Sequence, residues 1–211
     1  MQQNSHRVIS NGVKAAIFDL SGVCFSDEES PFLVAFAQKH RLPLEAFTRD
    51  YMELLVQSEN GEITGSEVWK RLLSKYAVEG DAEALIREMM AGKESYQDTL
   101  DFVSTIRKEV KTAYFTNYNE DYWKLIVARF DLSKYFDIGL VSYEIGARKP
   151  SAKGFIYLLE KLGARPEEAV FIDDRSGNLE EPKKLGINTI QFKSVTDLGQ
   201  EIERLGIKMN E

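Results

Sequence analysis

Short apolar runs along the chain predict the strands of a single sheet. They are "VKAAIF" (13–18), "TAYFT" (112–116), "FDIGLVS" (136–142), "AVFID" (169–173) and "INTIQF" (187–192). After residue 96, stretches with helical spacing of apolar residues separate one run from the next. Strands that alternate with helices of this length are typical of α/β proteins, in which helices cover both faces of a parallel sheet. We therefore predict an α/β fold with a parallel sheet.

Apolar residues at helical spacing mark the helices of this second part of the chain. The groups are Leu100, Val103, Ile106 and Val110; Trp123, Ile126, Val127 and Phe130; and Phe155, Leu158, Leu159 and Leu162. Gly163 follows the last group and is expected to end its helix.

The section from about residue 26 to about residue 95 is predicted to be helical throughout. Its apolar residues are spaced as on helix faces, for example Phe47, Tyr51, Leu54 and Leu55, and then Trp69, Leu72, Leu73 and Tyr76. Thr64 with Glu67 three positions later forms a capping box, and Asp81 can cap a further helix. We therefore predict a discontinuous core of residues 1–25 and 96–211, with residues 26–95 inserted as a helical module.

Composition and charge narrow the classes of function. The chain has 211 residues, of which 43% are hydrophobic, and this is ample for one domain with a modest insertion. A net charge of −7 argues against nucleic-acid binding, which needs clustered Lys and Arg. The opening "MQQNSHRVISNG" lacks the apolar region of a secretory signal, and the longest apolar run, "FLVAFA", is too short to span a membrane.

The single cysteine, Cys24, excludes an internal disulfide and is interpreted as a small buried residue. We therefore expect a cytoplasmic protein that binds neither nucleic acid nor membrane.

Polar residues follow four of the predicted strands at the point where each strand ends. They are Asp19 after the first strand, Thr116 and Asn117 after the second, Arg148 and Lys149 after the third, and Asp173 and Asp174 after the fourth. Ligands of parallel sheets bind at the carboxyl ends of the strands, so these side chains should meet. Carboxylates suit Mg²⁺, and a lysine with hydroxyl and amide donors suits a phosphoryl group. A lone carboxylate at a strand end is usually a cap, but two adjacent ones repel unless a cation lies between them.

The order of these motifs resembles that of the haloacid dehalogenase (HAD) superfamily. It consists of Asp-x-x-Gly-Val after the first strand, Thr-Asn after the second, Lys-Pro after the third and Asp-Asp at the end of "VFIDD". Within that superfamily the chain is most similar to the subfamily IA phosphatases, which carry a helical C1-type cap after the first motif. The resemblance implies a Rossmann-like sheet with the first strand in its centre, a hydrolase activity, Mg²⁺ as cofactor and residues 26–95 as the cap.

The same resemblance assigns roles to the residues that match its motifs. Asp19 would be the nucleophile and a metal ligand, and the backbone carbonyl of Ser21 a second ligand. Asp174 would be the direct carboxylate ligand, with Asp173 behind it and bridged towards Lys149. Thr116 and Asn117, together with Lys149, would hold the phosphoryl group, and Asn178 would brace the loop after Asp174.

Ser21 is where the chain departs from the superfamily's phosphatases. These enzymes usually carry Asp at that position, which protonates the leaving oxygen and then activates water. A serine hydroxyl is neither an acid nor a base at neutral pH. Metal coordination survives, because that contact is a main-chain oxygen.

Three hypotheses about function follow. The first is a Mg²⁺-dependent phosphatase of a small phosphomonoester, with sugar phosphates among the candidates, acting as a monomer or homodimer. The second is a weak or inactive relative that binds a phosphorylated ligand, which Ser21 favours. The third is a 2-haloacid dehalogenase, against which the Asp173–Asp174 pair argues because an anionic pair beside an anionic substrate needs a cation. We rank the phosphatase first.

Overall fold

A five-stranded parallel sheet lies at the centre of the protein in the computed structural model, which describes residues 12–208. The strands are β1 (Ala15–Phe18), β2 (Lys111–Thr116), β3 (Ile138–Val141), β4 (Ala169–Asp173) and β5 (Asn188–Gln191). Their order across the sheet is β3-β2-β1-β4-β5, and every neighbouring pair is parallel. The predicted α/β fold with a Rossmann-like sheet and a central first strand is confirmed.

Ten α-helices are present in the described part of the chain. They are α1 (Glu29–Lys39), α2 (Leu44–Glu59), α3 (Gly65–Lys75), α4 (Ala82–Ala91), α5 (Gln97–Ile106), α6 (Glu120–Arg129), α7 (Ser142–Ile145), α8 (Ala152–Leu162), α9 (Glu180–Lys184) and α10 (Val195–Arg204). None of these helices has the length and apolar character needed to cross a membrane. The opening segment "MQQNSHRVISNG", which is not expected to be a secretory signal, lies outside the described residues apart from Gly12.

The segment between β1 and α5 forms helices α1 to α4, as its apolar spacing predicts. Thr64 caps α3 by accepting a hydrogen bond from the backbone N–H of Glu67 at 3.0 Å. Asp81 caps α4 through the backbone N–H groups of Glu83 and Ala84. We call α1 to α4 the helical insertion.

Backbone hydrogen bonds hold together the two chain segments that join the insertion to the rest of the protein. The N–H of Tyr96 donates to the carbonyl of Cys24 at 2.8 Å, and the N–H of Ser26 donates to the carbonyl of Glu94 at 2.9 Å. The side chain of Cys24 is buried in an apolar cluster, and burial raises the pKa of its thiol. Cys24 is thus a buried packing residue, as predicted.

Apolar side chains cover the sheet on both faces, and β1 shows how they divide. Ala15 and Ile17 point to one face, where they pack in a cluster with α8. Ala16 and Phe18 point to the other face, into a larger cluster that continues into the insertion. All four residues are fully buried, as expected of the central strand of a sheet covered on both faces.

The bounds of every strand except β4 differ from the predicted runs by one to three residues, and β3 differs most. The strand expected over residues 136–142 is shorter, because Asp137 turns its carboxylate to the backbone N–H of Thr112 at 2.9 Å and Ser142 already begins α7. In α6, Trp123 and Ile126 are buried, but Val127 is 48% exposed. Val127 thus lies on the exposed flank of the apolar stripe of α6.

Candidate active site

The carboxyl ends of β1, β2 and β4 and the loop after β3 bring the predicted residues to one edge of the sheet. Asp19 follows β1, Thr116 ends β2 and Asp173 ends β4. A cavity of about 230 Å³ opens over this edge. The predicted residues that line it are Asp19, Ser21, Thr116, Asn117, Lys149 and Asn178.

Lys149 lies between two carboxylates. Its Nζ is 2.7 Å from Asp19 Oδ1 and 2.7 Å from Asp173 Oδ2, and its side chain is almost wholly buried. Asn117 holds the backbone at this point, because its Oδ1 accepts a hydrogen bond from the N–H of Lys149 at 2.8 Å. A buried ammonium in this position compensates two buried carboxylates that would otherwise repel each other.

Asp19 is held in one orientation at the end of β1. The backbone N–H of Leu20 donates to its Oδ1 at 2.6 Å, the same oxygen that Lys149 contacts. Burial raises the pKa of the Asp19 carboxyl to about 7, the Lys149 ammonium opposes that rise, and Asp173 adds to it. A cation close to this carboxylate would favour its ionised, nucleophilic form.

Asp173 and Asp174 are adjacent in sequence but differ in their partners. The Asp173 carboxylate accepts hydrogen bonds from Arg175 N–H at 2.9 Å, from Asn178 Nδ2 at 3.0 and 3.1 Å, and from Lys149 Nζ at 2.7 Å. Asp174 Oδ1 is buried, and no residue that the structure describes gives it a hydrogen bond. Burial raises the pKa of Asp174, and the Asp173 charge adds to the rise. Asp174 therefore has an oxygen available for a cation, whereas Asp173 is already satisfied.

The three carboxylates fit a divalent cation. One oxygen each from Asp19, Asp173 and Asp174 lies within 4.8 Å of the other two. Gly22 leaves room for the Asp174 carboxylate, because a Cβ at this position would lie 2.6 Å from Asp174 Oδ2. Its φ of +80° is also a backbone angle that glycine adopts readily. An oxygen-rich cluster with an unpartnered buried oxygen is the kind of site that Mg²⁺ occupies.

Thr116 also offers a free polar atom. Thr116 lines the same cavity. Its Oγ1 is buried and has no hydrogen-bond partner among the described residues. An unpaired buried hydroxyl is costly unless something supplies the missing bond. An oxygen of a bound ligand would satisfy it.

Ser21 is in contact with two residues that the sequence analysis did not identify. Its Oγ lies 2.6 Å from the hydroxyl of Tyr118, and Lys93 Nζ donates to it over 3.4 Å. Lys93 is buried, and burial lowers the pKa of its ammonium while carboxylates including Glu29 oppose that effect. Tyr118 directly follows the Thr116–Asn117 pair and could have been noticed at that strand end. Lys93 lies 72 residues from Ser21 and carries no signal in the sequence.

The insertion contributes the far side of the cavity, including two acidic residues that were not predicted. Glu59 Oε2 lies 2.6 Å from Arg148 Nε, which places an ion pair beside Lys149. Glu29 accepts a hydrogen bond from the hydroxyl of Tyr51 at 3.2 Å. Burial raises the pKa of Glu29 to about 7, and the charge of Glu59 adds to the rise. These residues depend on how helices pack over the sheet edge, which linear spacing does not encode.

Comparison with known proteins identifies similar sequences and folds. The family profile of haloacid dehalogenase-like hydrolases matches residues 13–186. A phosphorylated carbohydrates phosphatase of Thermotoga maritima is 26% identical over 188 residues, which cover 84% of each chain. A D-ribitol-5-phosphate phosphatase of Bacteroides thetaiotaomicron is 24% identical over 200 residues, covering 90% of this chain and 97% of that protein.

Among solved structures, a HAD family enzyme of Bacteroides thetaiotaomicron in complex with magnesium and inorganic phosphate has the same fold. The TM-score is 0.76 at 22% identity, and the match covers 89% of this chain and 99% of that chain.

Proposed function

The chain belongs to the haloacid dehalogenase-like hydrolases, and from that membership we propose that it is a Mg²⁺-dependent phosphatase of a small phosphomonoester. The observation that carries the proposal is the arrangement of Asp19, Lys149 and the Asp173–Asp174 pair. A buried lysine contacts Asp19 and Asp173, while Asp174 keeps an oxygen to which no described residue donates a hydrogen bond. Phosphatases among the chain's relatives support the reaction class.

Asp19, Asp174 and the backbone carbonyl of Ser21 would hold the Mg²⁺, and Asp173 would position Lys149 beside them. When bound, the ion supplies positive charge that stabilises a transferring phosphoryl group. Asn178 keeps the Asp173 carboxylate in place through two hydrogen bonds from its amide. The unpartnered Thr116 hydroxyl and the Asn117 side chain would hold phosphoryl oxygens.

Asp19 would act as the nucleophile. Its carboxylate attacks phosphorus, an Asp19 O–P bond forms, and the bond to the leaving oxygen breaks, which gives an aspartyl-phosphate. Water then cleaves that intermediate and releases inorganic phosphate and free Asp19. Lys149 compensates charge in both steps, because its Nζ is 2.7 Å from Asp19 Oδ1.

The helical insertion would act as a cap over this chemistry, so we retain residues 26–95 as a cap domain and the remainder as the catalytic core. Residues of α1 and α2 line the cavity above Asp19, which supports a role in sheltering the intermediate and choosing the substrate. The substrate would be a small phosphorylated metabolite. A cytoplasmic location and a monomeric or homodimeric state stay predictions from the sequence.

Ser21 favours one alternative, a weak or inactive relative that binds a phosphorylated ligand without rapid turnover. A 2-haloacid dehalogenase is less well supported, because the Asp173–Asp174 pair serves a cation that such chemistry does not require. Phosphate release from p-nitrophenyl phosphate, measured in Mg²⁺ and in EDTA beside chloride release from 2-chloropropionate, separates the three. We expect phosphate release in Mg²⁺ only. Equal rates in EDTA, or chloride release alone, would contradict the proposal.

Two substitutions test the roles of the site residues. Asp19→Asn should abolish turnover, because an amide cannot serve as the nucleophile. Asp174→Asn should raise the Mg²⁺ concentration for half-maximal activity far more than Thr116→Ala does, since it removes a charged ligand and not a neutral donor. The same Mg²⁺ titration for both variants would show that Asp174 is not a ligand.

A further inference from the structure

One face of α2 lines the cavity from the start of the helix to its end, and its side chains change from mainly aliphatic to charged along the way. Leu44, Thr48, Met52, Leu55 and Glu59 all line the cavity, and their spacing places them in one row on the helix. Glu59, at the deep end, is bound to Arg148 beside Lys149. The remainder of the row, apart from Thr48, is aliphatic. Polarity thus falls from the sheet edge towards the cavity mouth.

Helix α1 extends the aliphatic surface. Leu33 and Val34 line the cavity together with the row on α2, and Glu29 and Ser30 at the start of α1 line it as well. Leu33 and Leu55 are buried, but Val34, Leu44 and Met52 are 38–40% exposed. These three are among only seven large hydrophobic side chains that are exposed in the described part of the chain. We call Leu33, Val34, Leu44, Met52 and Leu55 the apolar wall.

The charged residues that line the cavity beside the apolar wall already have partners within the protein. Glu59 is bound to Arg148, and Glu29 accepts a hydrogen bond from Tyr51. Arg175 Nη2 lies 3.5 Å from Asp27 Oδ2. A ligand with many hydroxyls would have to compete with these contacts. Apart from the hydroxyls of Ser30 and Thr48, it would meet aliphatic carbon along the wall, where a hydroxyl finds no hydrogen bond. Hydrocarbon placed there gains by leaving water.

We propose that the substrate is the phosphomonoester of a mainly hydrocarbon alcohol, with its phosphate at the sheet edge and its alkyl or aryl group along the apolar wall. This inference rests on the proposed function of the same site, because it takes the phosphate end of the ligand from it. Ligand pockets commonly combine an apolar lining with a few polar groups that fix orientation. Here the polar groups fix the phosphate, and the wall selects what is attached to it.

Binding of n-alkylphosphonates tests the wall without depending on turnover. Their P–C bond resists hydrolysis and their headgroup is constant, so a series from methyl to hexyl varies only the hydrocarbon. Titration calorimetry of the intact protein in Mg²⁺ should give a Kd that falls about two- to fourfold per methylene, since burying a methylene is worth about fourfold in affinity. A phosphonate with a polyhydroxylated chain of the same length should bind no more tightly than methylphosphonate.

Substitutions in the apolar wall test whether these residues cause the gain in affinity with chain length. Val34→Ser and Met52→Ser should each reduce the gain from methyl to hexyl by about threefold or more. Val127→Ser is the matched control, because Val127 is also an exposed helical valine but lies outside the cavity. It should leave the series unchanged.

Each other outcome contradicts the inference in a recognisable way. A Kd independent of chain length, with methylphosphonate still bound, overturns the hydrocarbon assignment and leaves the phosphatase standing. Tighter binding of the polyhydroxylated chain assigns the cavity to carbohydrate phosphates instead. Failure of every phosphonate to bind in Mg²⁺ refutes the phosphate site itself, and the inference with it.

Discussion

Ser21 is the residue at which this site departs most from a complete phosphatase. Its hydroxyl contacts Tyr118 and Lys93. Burial raises the pKa of the Tyr118 hydroxyl and lowers the pKa of the Lys93 ammonium, and neither group is the carboxyl that usually exchanges a proton at this position. In the proposed reaction, attack by Asp19 needs an ionised carboxylate and compensating charge, which Lys149 and a bound cation would supply against the effect of burial. The steps that lack a group are protonation of the leaving alkoxide and activation of water.

Ser21→Asp should therefore accelerate turnover. Acid–base help of this kind contributes about 10²–10⁴-fold, so we expect gains in that range for simple alkyl phosphates and smaller gains for p-nitrophenyl phosphate, whose leaving group needs no proton. The measurement is kcat across a series of leaving-group pKa values. A uniform effect, or a loss at every leaving group, would mean that another residue supplies the proton.

Glu29 should reduce stability at high pH. Its pKa in the folded protein is about 7 because of burial and the charge of Glu59, compared with 4.5 ordinarily. The fold therefore favours the protonated form, and the penalty builds up as pH rises from about 4.5 to about 7 and stays constant above. Glu29→Gln should raise the free energy of unfolding at pH 8, because it removes a charge that burial disfavours. We expect a gain of about 1–2 kcal/mol, which is less than the full pKa shift corresponds to, because part of the side chain remains in contact with solvent.

Urea unfolding at pH 4.5 and pH 8 checks this. The gain should vanish at pH 4.5. Glu45→Gln is the matched control, since Glu45 lies in the first turn of α2 as Glu29 does in α1, but is exposed. An equal gain at both pH values would show that the charge of Glu29 is not the cause.

At the scale of elements, α8 depends on a glycine to reach the sheet. A Cβ on Gly154 would lie 2.2 Å from Phe115 Cζ, and Phe115 is itself packed edge-to-face against Phe155. Gly154→Ala should therefore lower the free energy of unfolding by about 1–3 kcal/mol despite the better helix propensity of alanine. Gly199→Ala in α10 is the matched control, because its nearest neighbour, Phe102, is 3.7 Å away.

Gly199→Ala should stabilise the protein by about 0.5–1 kcal/mol, as alanine does in a helix with room for its methyl group. Opposite signs for the two substitutions, measured by chemical unfolding, would confirm that close packing and not helix propensity fixes Gly154. Two gains of similar size would show that Phe115 can move aside.

The elements themselves could be predicted because their signals are local. The run that became β4 has the predicted bounds, and Thr64 and Asp81 cap the helices they were expected to cap. Strand-end residues such as Asp19 could be predicted to meet because parallel strands end at one edge. The presence of Lys93 and Glu29 at the site could not be predicted, since their place depends on how the insertion packs over the sheet. The exposure of Val127 could not be predicted either, because apolar spacing does not show which face of a helix a neighbour covers.

At the scale of the whole molecule, the insertion and the sheet share one apolar core. The cluster that contains Phe18 of β1 also contains Trp69 of α3 and Trp123 of α6. Trp69 Nε1 donates to the hydroxyl of Tyr122 in α6 at 3.1 Å, and Tyr51 of α2 contacts the same hydroxyl at 3.2 Å. An insertion attached in this way cannot leave the core without exposing buried aromatic surface.

Insertion and core should consequently unfold as one cooperative unit. Two separate units would each need an apolar core of their own, whereas here the aromatic residues of the insertion and those of α6 complete the same one. Trp69→Phe leaves Trp123 to report on the core, and Trp123→Phe leaves Trp69 to report on the insertion, because the chain has only two tryptophans. In each variant, the guanidinium unfolding curve from tryptophan fluorescence should coincide with the curve from far-UV circular dichroism.

If fluorescence of Trp69 changed at a lower guanidinium concentration than the dichroism did, the insertion would open or unfold by itself. Access to Asp19 would then be controlled by movement of the insertion and not by the cavity mouth at Val34, Leu44 and Met52.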